Sequence, residues 1–517
     1  MWLAQDSASL SVARGILNAA QRSPQTTAIE EGKFSRTYAA LATRLRKLGS
    51  AALKHYGLQP GDVVALLAPN RIEYLEIVAG LAEAGLCVAT LNPRLSAEEL
   101  RDIFQDCEPK LAIVDPSLAP LVSESGHTDL PTLTLGEDYE AVLAAASPCA
   151  FPEVDERSAF SISYTSGTTG KPKGVLLPHR SRALVCLASA VEYGCFGVAD
   201  RFLALAPMYH GAGLAFALAA VNHGGTCVIH ESNDAESIVA RLEQGDIHGV
   251  FMVPTHFKRI FDLPESRLEG LSYRHGLKAI ISNAAALAPR FKELTCRFFG
   301  EGLLHETYGS TEAGIVTNMR PEHLLERLES VGTPFIGMEI EIRRNDGSLC
   351  DPGEVGELFA RGPYTFVGYL NRPEETAAAL QDGWVTVQDL AVRDDDGFIN
   401  IVGRAKDMVV SGGVNIYPAE VEKVIALEPS VAEVAVVGLP DDEWGESVHA
   451  FIVLRAGTEA DAETIIARCR QTLSGYKVPR GVTFIDELPR NASGKILKKD
   501  LRAGVAAATS EPRKAQA

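Results

Sequence analysis

The chain has 517 residues, 46% hydrophobic and 22% charged, which is material for two to four domains with a large core. A net charge of −18 argues against nucleic acid as the main partner, so any phosphate site must be a local positive pocket on an acidic body. Nine scattered cysteines without a CxxC pair favour reduced, buried thiols over zinc or disulfides. With neither a signal peptide nor a membrane-length apolar run, the expected location is the cytoplasm.

Tyr38, Leu41, Leu45 and Leu48 fall at helical spacing, and the turn Gln59-Pro-Gly-Asp62 leads into a strand at Val63–Ala68. A helix over 72–84 precedes a strand at Cys87–Thr90. Ser96-Ala-Glu-Glu99 is a capping box ahead of Leu100, Ile103 and Phe104, and Leu111–Val114 is another strand. Strands separated by helices of this length imply right-handed crossovers and a mainly parallel sheet. The same alternation resumes with strands at Phe202–Ala206, Thr226–Ile229, Gly249–Val253 and Lys278–Ile281. Near residue 335 the rhythm changes to short runs separated by Asn345-Asp-Gly347 and Asp394-Asp-Asp-Gly397, the signature of antiparallel hairpins. From about 407 a small α/β unit begins. Its helices carry Val421, Val424 and Ile425, then Ile465, Ile466, Cys469 and Leu473; Val431–Val437 and Phe451–Leu454 are strands.

The chemistry concentrates in YTSGTTGKPKGV, residues 164–175, which lies between the alternating Phe160–Tyr164 and the apolar Val175–Leu177. Small residues expose backbone N–H groups, and hydroxyls and two lysines complete an anion cradle suited to phosphate. It is not a Walker loop, because Pro172 follows Gly170-Lys171 where Ser or Thr is needed to open a helix. His210 stands among small residues in Ala206-Pro-Met-Tyr-His-Gly-Ala-Gly213, which leaves space beside an imidazole. Thr307-Tyr-Gly-Ser-Thr-Glu312 offers an aromatic, hydroxyls and a carboxylate, a set that suits a stacked ring, a phosphate and Mg²⁺. Asp389 and Arg404 suit ribose and phosphate oxygens, or form an ordinary ion pair. Gly494 leaves Lys495 unobstructed as a point charge that a mobile domain could deliver, although alone it reads as solvated surface.

Loop 164–175, His210, YGSTE (308–312), Asp389, GRAKDMVVSGGVNIYPAEVE (403–422) and Lys495 occur in the order and approximate spacing of one family. Over nearly its whole length the sequence resembles the acyl-CoA synthetases of the adenylate-forming superfamily, which includes aryl-CoA ligases, luciferases and nonribosomal-peptide adenylation domains. The resemblance implies an α/β fold in which residues 1–404 form a large domain of mainly parallel α/β subdomains with a β-rich subdomain at about 335–404. A hinge at 405–408 and a small, mobile α+β domain at 409–517 follow. It implies an AMP-forming ligase that activates a carboxylic acid, aryl or medium-chain aliphatic, as an acyl-adenylate and transfers it to coenzyme A. The alternative is transfer to a carrier-protein thiol. ATP, Mg²⁺, coenzyme A and the acid are the implied partners, with a homodimer left open.

By resemblance, Thr165, Ser166, Gly167, Thr168, Thr169 and Lys173 hold the β/γ-phosphates. Ala284, Ala285, Ala286, Glu306, Thr307 and Gly309 line the nucleotide, Tyr308 stacks on adenine and Thr311 contacts the α-phosphate. Glu312 holds Mg²⁺, and Asp389, Ile401 and Arg404 receive the ribose. Lys495 bridges carboxylate and α-phosphate, His210 joins it as a catalytic group, and Lys406 is the hinge. Ser411, Gly412 and Gly413 meet the pantetheine arm. Tyr209, His210, Gly211, Ala212, Phe251, Val253, Ala284 and Thr307 surround the acid, and with no carboxylate after Pro207 a neutral tail is expected. The chain departs from the family at Val387-Gln388-Asp389, where Thr-Gly-Asp is usual, and at Ser282-Asn283-Ala284-Ala285, where Ser-Gly-Gly-Ala is common.

Overall fold

The computed structural model describes residues 9–165, 172–230, 232–441, 443–490 and 496–503. The chain divides into two compact units, Met1–Ile340 with Phe359–Val387, and Glu341–Leu358 with Gln388–Ala517.

The first unit holds two α/β layers. In one sheet Val63–Leu67 lies between Cys87–Leu91 and Leu111–Val114, all parallel, and Ala159–Thr165 extends the sheet on the side of Cys87–Leu91. Val, Leu and Ile dominate these strands because both faces are covered, and the whole of Cys87–Leu91 and Leu111–Val114 is buried. The other sheet has a parallel centre, in the order Leu304–Ser310, Ala279–Ser282, Gly249–Met252, Arg201–Ala204, Thr226–Ile229 and Thr27–Glu31, with antiparallel strands at both edges. The capping box at Ser96 is formed: the Ser96 hydroxyl accepts from Glu99 N at 3.2 Å, and Ser96 N donates to Glu99 at 2.8 Å.

In the second unit Asp389–Arg393 pairs antiparallel with Ile399–Arg404 across the Asp394–Gly397 turn. A further sheet joins Val409–Ser411, Val414–Ile416, Val431–Asp441, Gly445–Leu454 and Gly481–Phe484. Helices Pro418–Ala426 and Ala462–Thr472 bury Val421, Val424, Ile425, Ile465 and Cys469 on it. The mixed α/β class with a small C-terminal α+β region is as the sequence reads. All nine cysteines are unpaired, and among the described residues no helix is long and apolar enough to cross a membrane.

Both departures from the family pattern fall on left-handed backbone. Ala284 has φ +80° and Gln388 φ +62°, which explains why glycine is common at each position: without a Cβ it adopts this region at no steric cost.

Candidate active site

Two paired strands of the first unit flank the phosphate-loop sequence. Ala159–Thr165 and Lys173–Pro178 pair antiparallel, with Tyr164 opposite Gly174 and Thr165 opposite Lys173. The Tyr164 hydroxyl donates to Asp106 at 2.9 Å, which anchors the outgoing strand. Ser166, Gly167, Thr168 and Thr169 lie outside the described residues, as does Lys495.

Lys173 is ion-paired with Glu375 and stands 5.4 Å from the ring centroid of Tyr369. The hydroxyl of the same Tyr369 donates to Glu312 at 2.8 Å, so one aromatic side chain connects the cation with the carboxylate. Glu312 is buried, and beyond that bond its second oxygen is unengaged among the described residues. That suits Mg²⁺, which takes one or two carboxylates and completes its shell with phosphate and water. A cluster of three metal-ligating side chains does not occur among the described residues.

The strand Leu304–Ser310 carries Glu306, Thr307, Tyr308 and Gly309. Gly309 has no room for a Cβ against the Gly314 carbonyl, at a register shift between Tyr308 and Gly309 that breaks the pleat. Thr307 is buried, accepts from Asn283 Nδ2 at 2.6 Å and donates to Ser282 O at 3.3 Å. Ala284, Ala285 and Ala286 are exposed. Glu306 is turned inward: its carboxylate pairs with buried Lys292 and accepts from Leu287 N at 2.8 Å. Burial raises the Glu306 pKa, and the Lys292 charge opposes that rise.

Tyr209 and His210 follow the strand Arg201–Ala204. Asn70 fixes this turn from both sides, donating to Ala206 O at 2.9 Å and accepting from Met208 N at 2.7 Å. The Tyr209 and His210 rings are 4.5 Å apart, and Arg94 reaches the Tyr209 hydroxyl at 3.4 Å. Burial first, and Arg94 second, push His210 down to about 4, so its imidazole is neutral at neutral pH. Gly211 and Ala212 open the helix Gly211–Asn222. Phe251 is buried with its ring 5.0 Å from Phe216, and Val253 N donates to His256 Nδ1 at 3.2 Å. Sequence reasoning passed over three residues here: Asn70, Tyr369 and Arg182, the last a buried guanidinium beside Gly211. Arg182 was legible in principle. It lies on the stripe Arg182, Val185, Cys186, Ser189 and Tyr193, all buried at helical spacing.

In the second unit Asp389 is buried and opposite Arg404, with Arg404 Nε 3.0 Å from its carboxylate. Ile401 is two strand positions from Gly403, facing Ala391. Lys406 lies in the short turn Ala405–Asp407, and burial together with the Arg404 charge lowers its pKa. Ser411, Gly412 and Gly413 form a hairpin tip with both glycines at positive φ.

A family model described as AMP-binding enzyme matches residues 16–370, and one described as AMP-binding enzyme C-terminal domain matches 420–495. A feruloyl-CoA synthase from an Amycolatopsis species is 37% identical over 489 residues, covering 93% of this chain and 96% of the relative. A 2-succinylbenzoate–CoA ligase from Geobacillus kaustophilus is 34% identical over 493 residues, covering 93% and 95%. Among solved structures, o-succinylbenzoate CoA synthetase (MenE) from Bacillus subtilis with its acyl-adenylate superposes with TM-score 0.85 at 28% identity, covering 98% and 99%. ATP-bound MatB from Rhodopseudomonas palustris gives 0.87 at 28%, covering 95% and 98%. The chain belongs to the AMP-binding enzyme family. Within that family it is an AMP-forming acyl- or aryl-CoA ligase, with ATP, Mg²⁺ and coenzyme A as its partners in the reaction.

Proposed function

We propose that the chain adenylates an aryl or medium-chain aliphatic acid with the residues assigned above, and that the same residues then serve thiolysis by coenzyme A. The carboxylate attacks the α-phosphate, pyrophosphate leaves, and the thiol sulfur displaces AMP from the mixed anhydride. Two anions must meet in the first step, so positive charge and positioning carry it. Lys173 with the 165–169 hydroxyls takes the β/γ-phosphates, and Thr311 takes the α-phosphate. Glu312 holds Mg²⁺, which neutralises phosphate charge. Neutral His210 orients the acid beside Tyr209 without adding charge. Asp389 and Arg404 receive the ribose, and Lys495 joins for adenylation. Rotation at 405–408, with Lys406 as pivot, withdraws Lys495 and presents Ser411–Gly413 to the pantetheine arm.

The observation that carries this reading is Tyr369, whose ring lies under Lys173 and whose hydroxyl holds Glu312. Lys173 and Glu312 thereby share one neighbour, which supports a cation for phosphate beside a carboxylate for the metal. The names of the relatives, feruloyl-CoA synthase and 2-succinylbenzoate–CoA ligase, support an aryl acid. Nine unpaired thiols favour a reducing compartment such as the cytoplasm. The test is a panel of cinnamic, benzoic and medium-chain acids, read as AMP release with and without coenzyme A. AMP release that needs no thiol acceptor for turnover, or that no acid stimulates, sinks the reading.

A further inference from the structure

Arg182 is the one buried cation around Tyr209–Gly211 that the adenylation chemistry above does not use. It lies in the first turns of the helix His179–Tyr193, is 5% exposed, and has neither an ion pair nor a hydrogen bond to any described residue. Its neighbour Arg180 makes the contrast: exposed, it pairs with Glu156 at 2.5 Å. A Cβ placed on Gly211 would lie 3.8 Å from Arg182 Nη2 and 4.0 Å from Thr311 Cγ2, so the guanidinium borders the open space over Gly211. That space is also the N-terminus of the twelve-residue helix Gly211–Asn222. Its N-cap, His210, makes no side-chain cap, and the first backbone N–H groups of a helix have no intrahelical acceptors. Burial pulls the Arg182 pKa down to about 10, which leaves it charged at neutral pH.

A buried guanidinium without a counter-ion is destabilising, and it persists where a ligand supplies the missing charge. Planar and bidentate, it matches a carboxylate. The reacting carboxylate is the poorer candidate, because a fork that holds both oxygens ties up the lone pairs needed for attack on phosphorus. We propose that the acid substrate carries a second, non-reacting carboxylate, and that Arg182 with the N-terminus of helix Gly211–Asn222 is its receptor. This rests on the ligase reading and replaces the neutral tail expected from sequence. Because the space over Gly211 is bordered by both Arg182 and Thr311, the two carboxylates are separated by a short spacer.

The test pairs acids that differ in one carboxylate, succinate with butyrate and phthalate with benzoate, in wild type, Arg182→Leu and Arg182→Lys. Wild type should favour the diacid, and Arg182→Leu should lower the diacid-to-monoacid ratio of kcat/KM by about a hundredfold, with Arg182→Lys between them. Without ligand Arg182→Leu should melt above wild type, since an uncompensated buried charge is gone, and the diacid should raise the melting temperature of wild type alone. Gly211→Ala, whose methyl narrows the seat against Arg182 while leaving the charge in place, should also lower the ratio. An equal loss for both members of a pair, or a wild type indifferent to the second carboxylate, overturns the proposal. If diacids stabilise wild type but not Arg182→Leu while no acid supports AMP release, the receptor stands and the ligase reading falls. The reverse pattern condemns the receptor alone.

Discussion

Ala284→Gly should stabilise the protein, against the usual direction for a glycine substitution. Ala284 is held at φ +80° with its side chain exposed, so the methyl group adds strain and little burial. Left-handed backbone costs an L-residue about 1–2 kcal/mol. Glycine gives back roughly 0.5–1 kcal/mol through the added entropy of the unfolded chain. The balance is a gain of about 0.5–1 kcal/mol, which in a unit of this size raises Tm by about 1–2 °C. The control is Ala285→Gly, one residue on, exposed and without positive φ, which should lose about 0.5–1 kcal/mol. Calorimetry of the three proteins, with urea midpoints as a check, decides it. A melting temperature for Ala284→Gly at or below wild type, or both variants moving the same way, refutes the strain argument.

Lys495→Ala should abolish acyl-adenylate formation yet spare thiolysis of supplied acyl-AMP, and equal loss of both half-reactions would remove Lys495 from the first step. Tyr369→Phe deletes the donor to Glu312 and should raise the Mg²⁺ needed for half-maximal rate by about tenfold; an unchanged Mg²⁺ titration would count against Glu312 as ligand. Asn70→Ala strips partners from Ala206 O and Met208 N and should cost about 2–4 kcal/mol in stability while lowering kcat. A drop under 1 kcal/mol in urea unfolding would show that water replaces the clamp. Burial pushes His179, His210, His256 and His305 down to about 4 from the ordinary 6.5, so the unfolded chain takes up protons first on acidification. Stability should be full above pH 6.5 and fall toward pH 4, each histidine adding a slope of up to about 1.4 kcal/mol per pH unit. In His210→Gln the decline should be shallower; an identical one would mean that His210 protonates freely in the fold.

The parallel strands were legible because they are short, apolar and separated by periodic helices: Leu111–Val114 and Thr226–Ile229 have the bounds the pattern suggests. Other boundaries slip by a residue or two, as Phe202–Ala206 does against Arg201–Ala204, since an apolar run does not mark where a ladder ends. The two strands on either side of 164–175 followed from alternation on one side and an apolar run on the other. What the sequence hid is partnership. Lys173 reads as a free cation, but its contacts with Glu375 and Tyr369 join segments far apart in the chain. Arg180 and Arg182 look alike in print, and only the direction of the helix separates the exposed one from the buried one. At the two departures from family pattern the letters alone give no backbone angle; the backbone shows Ala284 and Gln388 held in the conformation that glycine would adopt.

Lys292 and Glu306 face each other with almost no access to water, and Glu306 in turn holds the amide of Leu287, at the end of the alanine-rich stretch beside Thr307. Drift at either position alone strands a charge in the interior and loosens that stretch together with its neighbour, so selection sees the two as a single locus. Anyone grafting a new acid preference onto this scaffold through Asn283–Ala286 inherits that constraint: the loop can be rewritten, provided the couple beneath it is exchanged jointly or left alone.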